Sequence, residues 1–446
     1  MAQRQIFASK KTFESMLDKN TRDRIKDLIG REVVPAIGCT EPVAVALAVA
    51  KATETLGGDA APARIEVTLS GNILKNAMGV GIPGTGMIGL PVAIALGALV
   101  GKSEYGLEVL RDVNNDAVEL GKAMISEGRV SVGHDPKAPD KLYIAAVAYD
   151  EDGTHSGKAV ICGEHTHFVD IVKDGEVLLH EDVAAECCVE DDEMCLTLEA
   201  VWKYAIESPI EELTFIKEAE RLNRAAAERA LNGSGFGHKV GRIIATAGKS
   251  MYGDTPARHM LAMTAGACDA RMAGEPVAVM SNSGSGNQGI TITLPVVTYA
   301  EEINASEEQR VRALVLAHLT SIYIKQSLGR LSALCGCVVA ATGASIALTY
   351  LMGGDFTHGT YAVKNMVATL TGMICDGAKP ACALKIMSGV NTALVSALMA
   401  MNDECVTADE GIVDDDVDIT VRNLTAIGRE AMNETDLMVL KIMSDH

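Results

Sequence analysis

Between Leu331 and Gly354 the chain runs for 24 residues, LSALCGCVVAATGASIALTYLMGG, without a charged side chain. A stretch of this kind must leave water, either for a membrane or for a protein core. Ser, Thr, Gly and Cys interrupt it, and no aromatic belt or basic flank accompanies it. It therefore reads as a buried helical hairpin, which requires a large helical core around it. A chain of 446 residues can build one. Hydrophobic residues make up 48% of it but aromatics only 4%, so the core is Ala, Val, Leu, Ile and Met. Such side chains suit closely packed helices, and 42 glycines add many turns or close backbone approaches.

The net charge of −20 argues against a nucleic-acid partner, because phosphate binding needs clustered Lys and Arg. The acidity reads as solubility. The opening MAQRQIFASKKTFESMLDKNTRDRIK is charged and has no apolar core of a signal peptide. The expectation is a cytoplasmic protein with no membrane span. Its 11 cysteines are then reduced thiols, acting as core residues, metal ligands or reactive groups.

The pattern along the chain predicts an α+β fold. A mixed N-terminal domain with antiparallel strands covers 1–205, and a mainly helical domain covers 206–446. Up to Gly57 the spacing is helical, with Pro42 in a first-turn position. ARIEVTLS alternates as a strand and runs into the glycine-rich GNILKNAMGVGIPGTGMIGL. A helical pair follows, PVAIALGALVG and YGLEVLRDVNNDAVELGKAMISEG. Next come strands in RVSVGH, KLYIAAVAYDEDG and GKAVICGEHTHFVDIVKDGEVLL, with hairpin turns at Asp152-Gly153 and Asp174-Gly175. The acidic EDDEM reads as a surface connection. From Ser208 on the pattern is helical, with SNSGSGNQGITITLP as the main interruption.

Three familiar motifs fail. Gly84, Gly86, Gly89 and Gly284, Gly286, Gly289 match the dinucleotide fingerprint by letter only. The first lies in a Pro-containing loop, and the second is followed by ITITLPVV, which reads as strand or irregular. Gly248-Lys249-Ser250 lacks the upstream glycine of a phosphate loop, since residue 243 is Ile. His165 and His167 share a face of a predicted strand but have no close third ligand, so they read as hydrogen-bonded surface or interface residues.

The cysteines are harder to dismiss. CDGAKPAC sets Cys375 and Cys382 around a polar turn, and LSALCGC brings Cys335 and Cys337. These are not zinc knuckles. Inert core thiols and ligands both stay open. In GCTEP, Cys39 precedes a helix start. There the helix dipole and free N–H groups lower a thiol pKa, giving a base or nucleophile. A buried neighbour of the helix cap is the other reading.

Together VVPAIGCTEPVAVALA, SGNILKNAMGVGIPGTG, MSNSGSGNQGI, SALCGCVVAATGAS and CDGAKPACALK resemble the L-cysteine desulfidase family, relatives of the iron–sulfur L-serine dehydratase catalytic chain. The resemblance covers nearly the whole chain. It implies a [4Fe–4S] cluster held by Cys335, Cys375 and Cys382, with Cys337 the rival of Cys335, and one iron open to substrate. It implies that Cys39 removes the α proton. Substrate contacts are expected from Ser281, Asn282, Ser283 and Asn287, with a lesser place for Gln288, and from Asn72, Lys75 and Asn76 across the site. The implied reaction converts L-cysteine and water to pyruvate, ammonia and hydrogen sulfide, in a homodimer. The rivals are an L-serine dehydratase, a non-enzymatic cluster-based sensor and a plain soluble protein.

Overall fold

The computed structural model describes residues 17–58, 61–182, 195–233, 239–329 and 331–444. The acidic stretch at 190–194, with Cys187 and Cys188 before it, lies outside them. Helix α1 (Lys19–Glu32) starts at Asp18, whose carboxylate accepts from the Thr21 N–H. Strand β1 (Pro35–Ile37) leads into α2 (Thr40–Leu56). Then come β2 (Arg64–Leu69), α3 (Gly71–Ala77), α4 (Leu90–Leu99) and α5 (Asn115–Ser126). Four strands expected from the sequence follow β3 (Val130–His134): β4 (Tyr143–Tyr149), β5 (Ser156–Cys162), β6 (Phe168–Lys173) and β7 (Glu176–His180).

These strands form one mixed sheet in the order β3-β2-β4-β5-β6-β7, with β2 and β3 parallel and the other pairs antiparallel. The alternation in β2 and β4 becomes one buried face, and α2 lies on it. Close approach depends on Gly157 in β5, where a Cβ would strike the main chain of Ala52 and Leu56. Asp174 and Gly175 both take positive φ, 49° and 85°, as a two-residue hairpin turn requires.

The second half is helical: α6 (Leu198–Glu207), α7 (Lys217–Asn232), α8 (Val240–Ala245), α9 (Lys249–Tyr252) and α10 (Pro256–Met272), then strand β8 (Ala278–Met280). After it come α11 (Gly286–Glu302), α12 (Glu307–Leu328), α13 (Gly336–Leu351), α14 (Phe356–Leu370), α15 (Cys382–Ala400), α16 (Val417–Ala426) and α17 (Asn433–Ser444). The fold is α+β, as the sequence pattern predicts.

Helix α13 occupies the middle of the helical core and packs against α11, α12, α14 and α15. The uncharged stretch is therefore a single core helix, not a hairpin. The hairpin forms with α14, beyond a turn in which Gly353 has φ of 93°. ITITLP is also helical, within α11. Ser285 caps that helix, and the hydroxyls of Thr291 and Thr293 donate back to the carbonyls of Asn287 and Gly289. Burial on nearly every side has overridden the β preference of Thr and Ile. The second glycine triplet does sit between a strand and a helix. However, β8 pairs antiparallel with β1, so no βαβ unit exists. His165 and His167 precede β6 in a turn, and His167 pairs with Glu181 at 2.8 Å.

Two large cores result. One joins α2, α4, α5 and the sheet; the other fills the helical half and takes in α1. Helix α17 crosses back to α3. By length and composition one described helix, Cys382–Ala400, could cross a membrane.

Candidate active site

A cavity of about 120 Å³ opens where the two cores meet. Cys39, Cys335, Cys375 and Cys382 line it, with Glu41, Asn76, Arg271, Asn287 and Gln288. Each arrives by a local device.

Cys39 is placed by the β1–β8 pair, in which Pro35 opposes Met280 and Ile37 opposes Ala278. It is the N-cap residue of α2, and Gly38 before it has φ of 74°, where a Cβ would meet the Pro83 ring. Thr40 donates to the Gly284 carbonyl at 2.9 Å, tying the helix start to the SNSGSG turn.

Cys335 and Cys375 are held by a two-way main-chain exchange. Cys335 N–H donates to Met373 O at 2.9 Å, and Cys375 N–H donates to Ala333 O at 2.6 Å. Cys335 caps α13 and Cys382 opens α15. Between them, Asp376 forms ion pairs with Lys379 and Lys385, while Lys385 also donates to Ile374 O at 2.9 Å. Gly377 has φ of 89°, and a Cβ there would collide with the Lys75 carbonyl. The polar residues of CDGAKPAC thus clamp the turn that carries two thiols. Cys337 also reaches the cavity wall, but its Sγ donates to Lys385 O at 3.1 Å and lies against Gly389.

Burial dominates the electrostatics. It pushes the Cys39 thiol up to about 12, with the Arg271 guanidinium pulling the other way. The direction is opposite to the lowering expected at a helix start, because lost hydration outweighs the pull of Arg271. Cys382 is pushed up to about 11 by burial. Cys375 is raised by burial and by the nearness of Cys335. Cys335 is raised by hydrogen bonding to Cys337 and by burial. Cys268, behind the wall, is also raised by burial.

Of the other expected contacts, Asn76 and Asn287 line this cavity. Ser281, Asn282 and Ser283 are buried behind it. The Ser281 hydroxyl donates to Val34 O at 2.6 Å, and Asn282 joins an internal hydrogen-bond chain that accepts from Ser283. Asn72 and Lys75 face a second cavity of about 260 Å³, where both bind Asp436. Sequence reasoning missed Arg271, which no motif marks, and did not weigh Glu41, although GCTEP carries it.

Among the described residues, no three His, Cys, Asp or Glu side chains close on one point as a single metal ion requires. Cys335, Cys375 and Cys382 do share one cavity wall. The donor set is all sulfur, which suits an iron–sulfur group. Buried neutral thiols that crowd one another become thiolates only with a cationic partner, and such a group supplies one.

A family model described as the serine dehydratase alpha chain matches residues 104–441. The UPF0597 protein of Phocaeicola vulgatus is 57% identical over 431 residues, covering 96% of this chain and 99% of its own. That of Bacteroides thetaiotaomicron is 57% identical over 427 residues, covering 96% and 98%. That of Porphyromonas gingivalis is 51% identical over 435 residues, covering 96% and 99%.

Proposed function

This chain belongs to the serine dehydratase alpha chain family, and from that membership we propose that it is an iron–sulfur-dependent lyase acting on L-cysteine. Its products are pyruvate, ammonia and hydrogen sulfide. The observation that carries the reading is that Cys335, Cys375 and Cys382 line one cavity with Cys39. The first three would hold a [4Fe–4S] cluster. When bound, such a cluster supplies Lewis acidity toward a carboxylate and a β-leaving group.

The chain's own residues do the rest. Cys39 Sγ receives the α proton, and Arg271 favours its thiolate. A thiolate of such high proton affinity is a strong acceptor once formed. As the α proton leaves, the Cβ–S bond breaks with its electron pair on sulfur, which departs as hydrosulfide. The aminoacrylate left behind tautomerises, and water releases ammonia and pyruvate without further protein groups. Asn287 holds Arg271 by accepting from its Nη1 at 2.9 Å. Ser281, Asn282 and Ser283 shape the turn from behind, while Asn72 and Lys75 lie on the second cavity and brace α3. A cytoplasmic homodimer completes the reading, and the mass in solution by light scattering tests the dimer.

The family's name favours a second reading, an L-serine dehydratase using the same apparatus. Anaerobically reconstituted protein given L-cysteine and L-serine in parallel separates the two. Sulfide release from cysteine is the expected result. Turnover of serine with no sulfide from cysteine overturns the choice, and about four irons per chain is the accompanying expectation for the cluster.

A further inference from the structure

Two buried amide oxygens on residues of this cavity wall accept no hydrogen bond, Gln288 Oε1 and Asn76 Oδ1. A buried acceptor without a donor costs stability and calls for an explanation. At both residues the orientation of the amide follows from its neighbours. Asn76 Nδ2 donates to the Glu41 carboxylate at 3.1 Å, which leaves Oδ1 as the remaining acceptor.

For Gln288 the orientation is set through a chain of hydrogen bonds anchored on main-chain groups. Asn223 Oδ1 accepts from Met280 N–H at 2.8 Å, so its Nδ2 donates to Gly289 O and Thr293 Oγ1. Thr293 Oγ1 donates to Gly289 O at 2.7 Å and has its remaining acceptor position facing His318 Nε2 at 3.1 Å. At the other end, Asn282 Nδ2 donates to His318 O and to His318 Nδ1, both at 3.2 Å. His318 is fully buried, and burial lowers it to about 3, so the ring is neutral with its proton on Nε2. Asn282 Oδ1 must then accept, which it does from Gln288 Nε2 at 2.7 Å. Gln288 Oε1 is left facing Gly336, where an added Cβ would stand 3.2 Å away. Gly336 separates Cys335 from Cys337.

We propose that Gln288 Oε1, with Asn76 Oδ1, is the acceptor pair that receives the ammonium group of the substrate. Asn282 and His318 are positioning residues that keep Gln288 in its accepting orientation. The SNSGSGNQG segment, expected from the sequence to contact substrate, thus presents an acceptor at this point. Glu41, joined to Asn76, adds negative charge on the same side. The assignment makes the site selective for 2-amino acids over their deaminated analogues, because a ligand without N–H donors leaves both oxygens unpaired. It deepens the lyase reading and rests on the same cavity.

The test compares L-cysteine with 3-mercaptopropionate, the same molecule without its amino group, on the reconstituted protein. Calorimetric binding and competitive inhibition are read alongside turnover. Gln288→Met is expected to weaken L-cysteine about 10- to 100-fold, mainly in KM, and 3-mercaptopropionate less than about 3-fold. Gln288→Glu keeps an acceptor but loses the donor to Asn282 Oδ1, so it is expected to recover only part of the amine selectivity. Asn282→Ala lowers the same selectivity, and its effect is not additive with that of Gln288→Met. Equal weakening of both ligands by Gln288→Met, or additive effects in the double variant, overturns the proposal. If the unmodified protein binds L-cysteine selectively through Gln288 but turns over no amino acid, the lyase reading falls and the acceptor assignment stands. Turnover with selectivity untouched in Gln288→Met removes the assignment alone.

Discussion

Asp269 illustrates how far one side chain can depart from what its letter suggests. It accepts from Gly241 N–H at 2.9 Å at the start of α8, but its other oxygen is buried without a donor. Burial pushes the carboxyl up to about 7. An unfolded carboxyl titrates near 3.9. Between those values the folded chain holds a proton that the unfolded chain has lost, so stability falls as pH rises from about 4 to about 7 and levels off above. Asp269→Asn is expected to flatten that slope and to gain on the order of 2–4 kcal/mol above pH 7. Denaturant midpoints from pH 4 to 8 give the answer, and parallel curves for the two proteins would refute it. At the same scale, Cys335→Ser, Cys375→Ser and Cys382→Ser are each expected to lose most bound iron and labile sulfide, whereas Cys337→Ser keeps them. Loss of iron in Cys337→Ser with retention in Cys335→Ser would reverse the choice of ligand. None of these distinctions is written in the spacing. One residue separates Cys335 from Cys337, and only the packing against α15 turns one thiol onto Lys385 O. The grouping of cysteines was legible through resemblance to a family, not through any rule of periodicity.

Elements were legible where local chemistry decides them. Asp-Gly turns, the alternation of β2 and β4, and glycine after α2 all read directly. The pattern misled where tertiary burial decides, as in α11, whose Thr-Ile alternation and Pro295 argue against a helix. It also missed the three-residue β1 and β8, too short to carry a signal. The turn Cys375–Cys382 shows what an element-level constraint does for the site. Gly377→Ala would place a Cβ on the Lys75 carbonyl at a left-handed φ. The expected cost is about 1–3 kcal/mol, together with weaker iron retention as Cys375 and Cys382 move apart. Thermal melting and iron content measured on the same preparation check both. A variant that melts as the parent does and keeps its iron would show that the turn tolerates the change.

At the scale of the molecule, α17 is fastened to α3 by a buried ion pair between Lys75 and Asp436, with Asn72 donating to the same carboxylate at 2.9 Å. The Lys75 side chain is only 1% exposed. Asp436→Ala strands that ammonium, so a loss of about 3–5 kcal/mol is expected. The double variant Lys75→Met with Asp436→Leu should recover most of it. Guanidinium midpoints at constant slope read the difference, and an unchanged midpoint in Asp436→Ala would show the clamp to be idle. Nothing in the sequence announces this partnership across the whole chain, because long-range ion pairs leave no periodic trace.

The ribbon of β1 and β8 has a temporal consequence. Pro35 finds its partner at Met280, and Cys39 follows two residues after β1 ends. During synthesis, residues 35–37 therefore wait through most of translation for the segment that completes them. Loop closure over such a span is slow compared with the local pairing of the sheet. The thiol of Cys39 is thus installed opposite Cys335, Cys375 and Cys382 only after the ribosome has delivered the later half, since all three follow β8 in the chain.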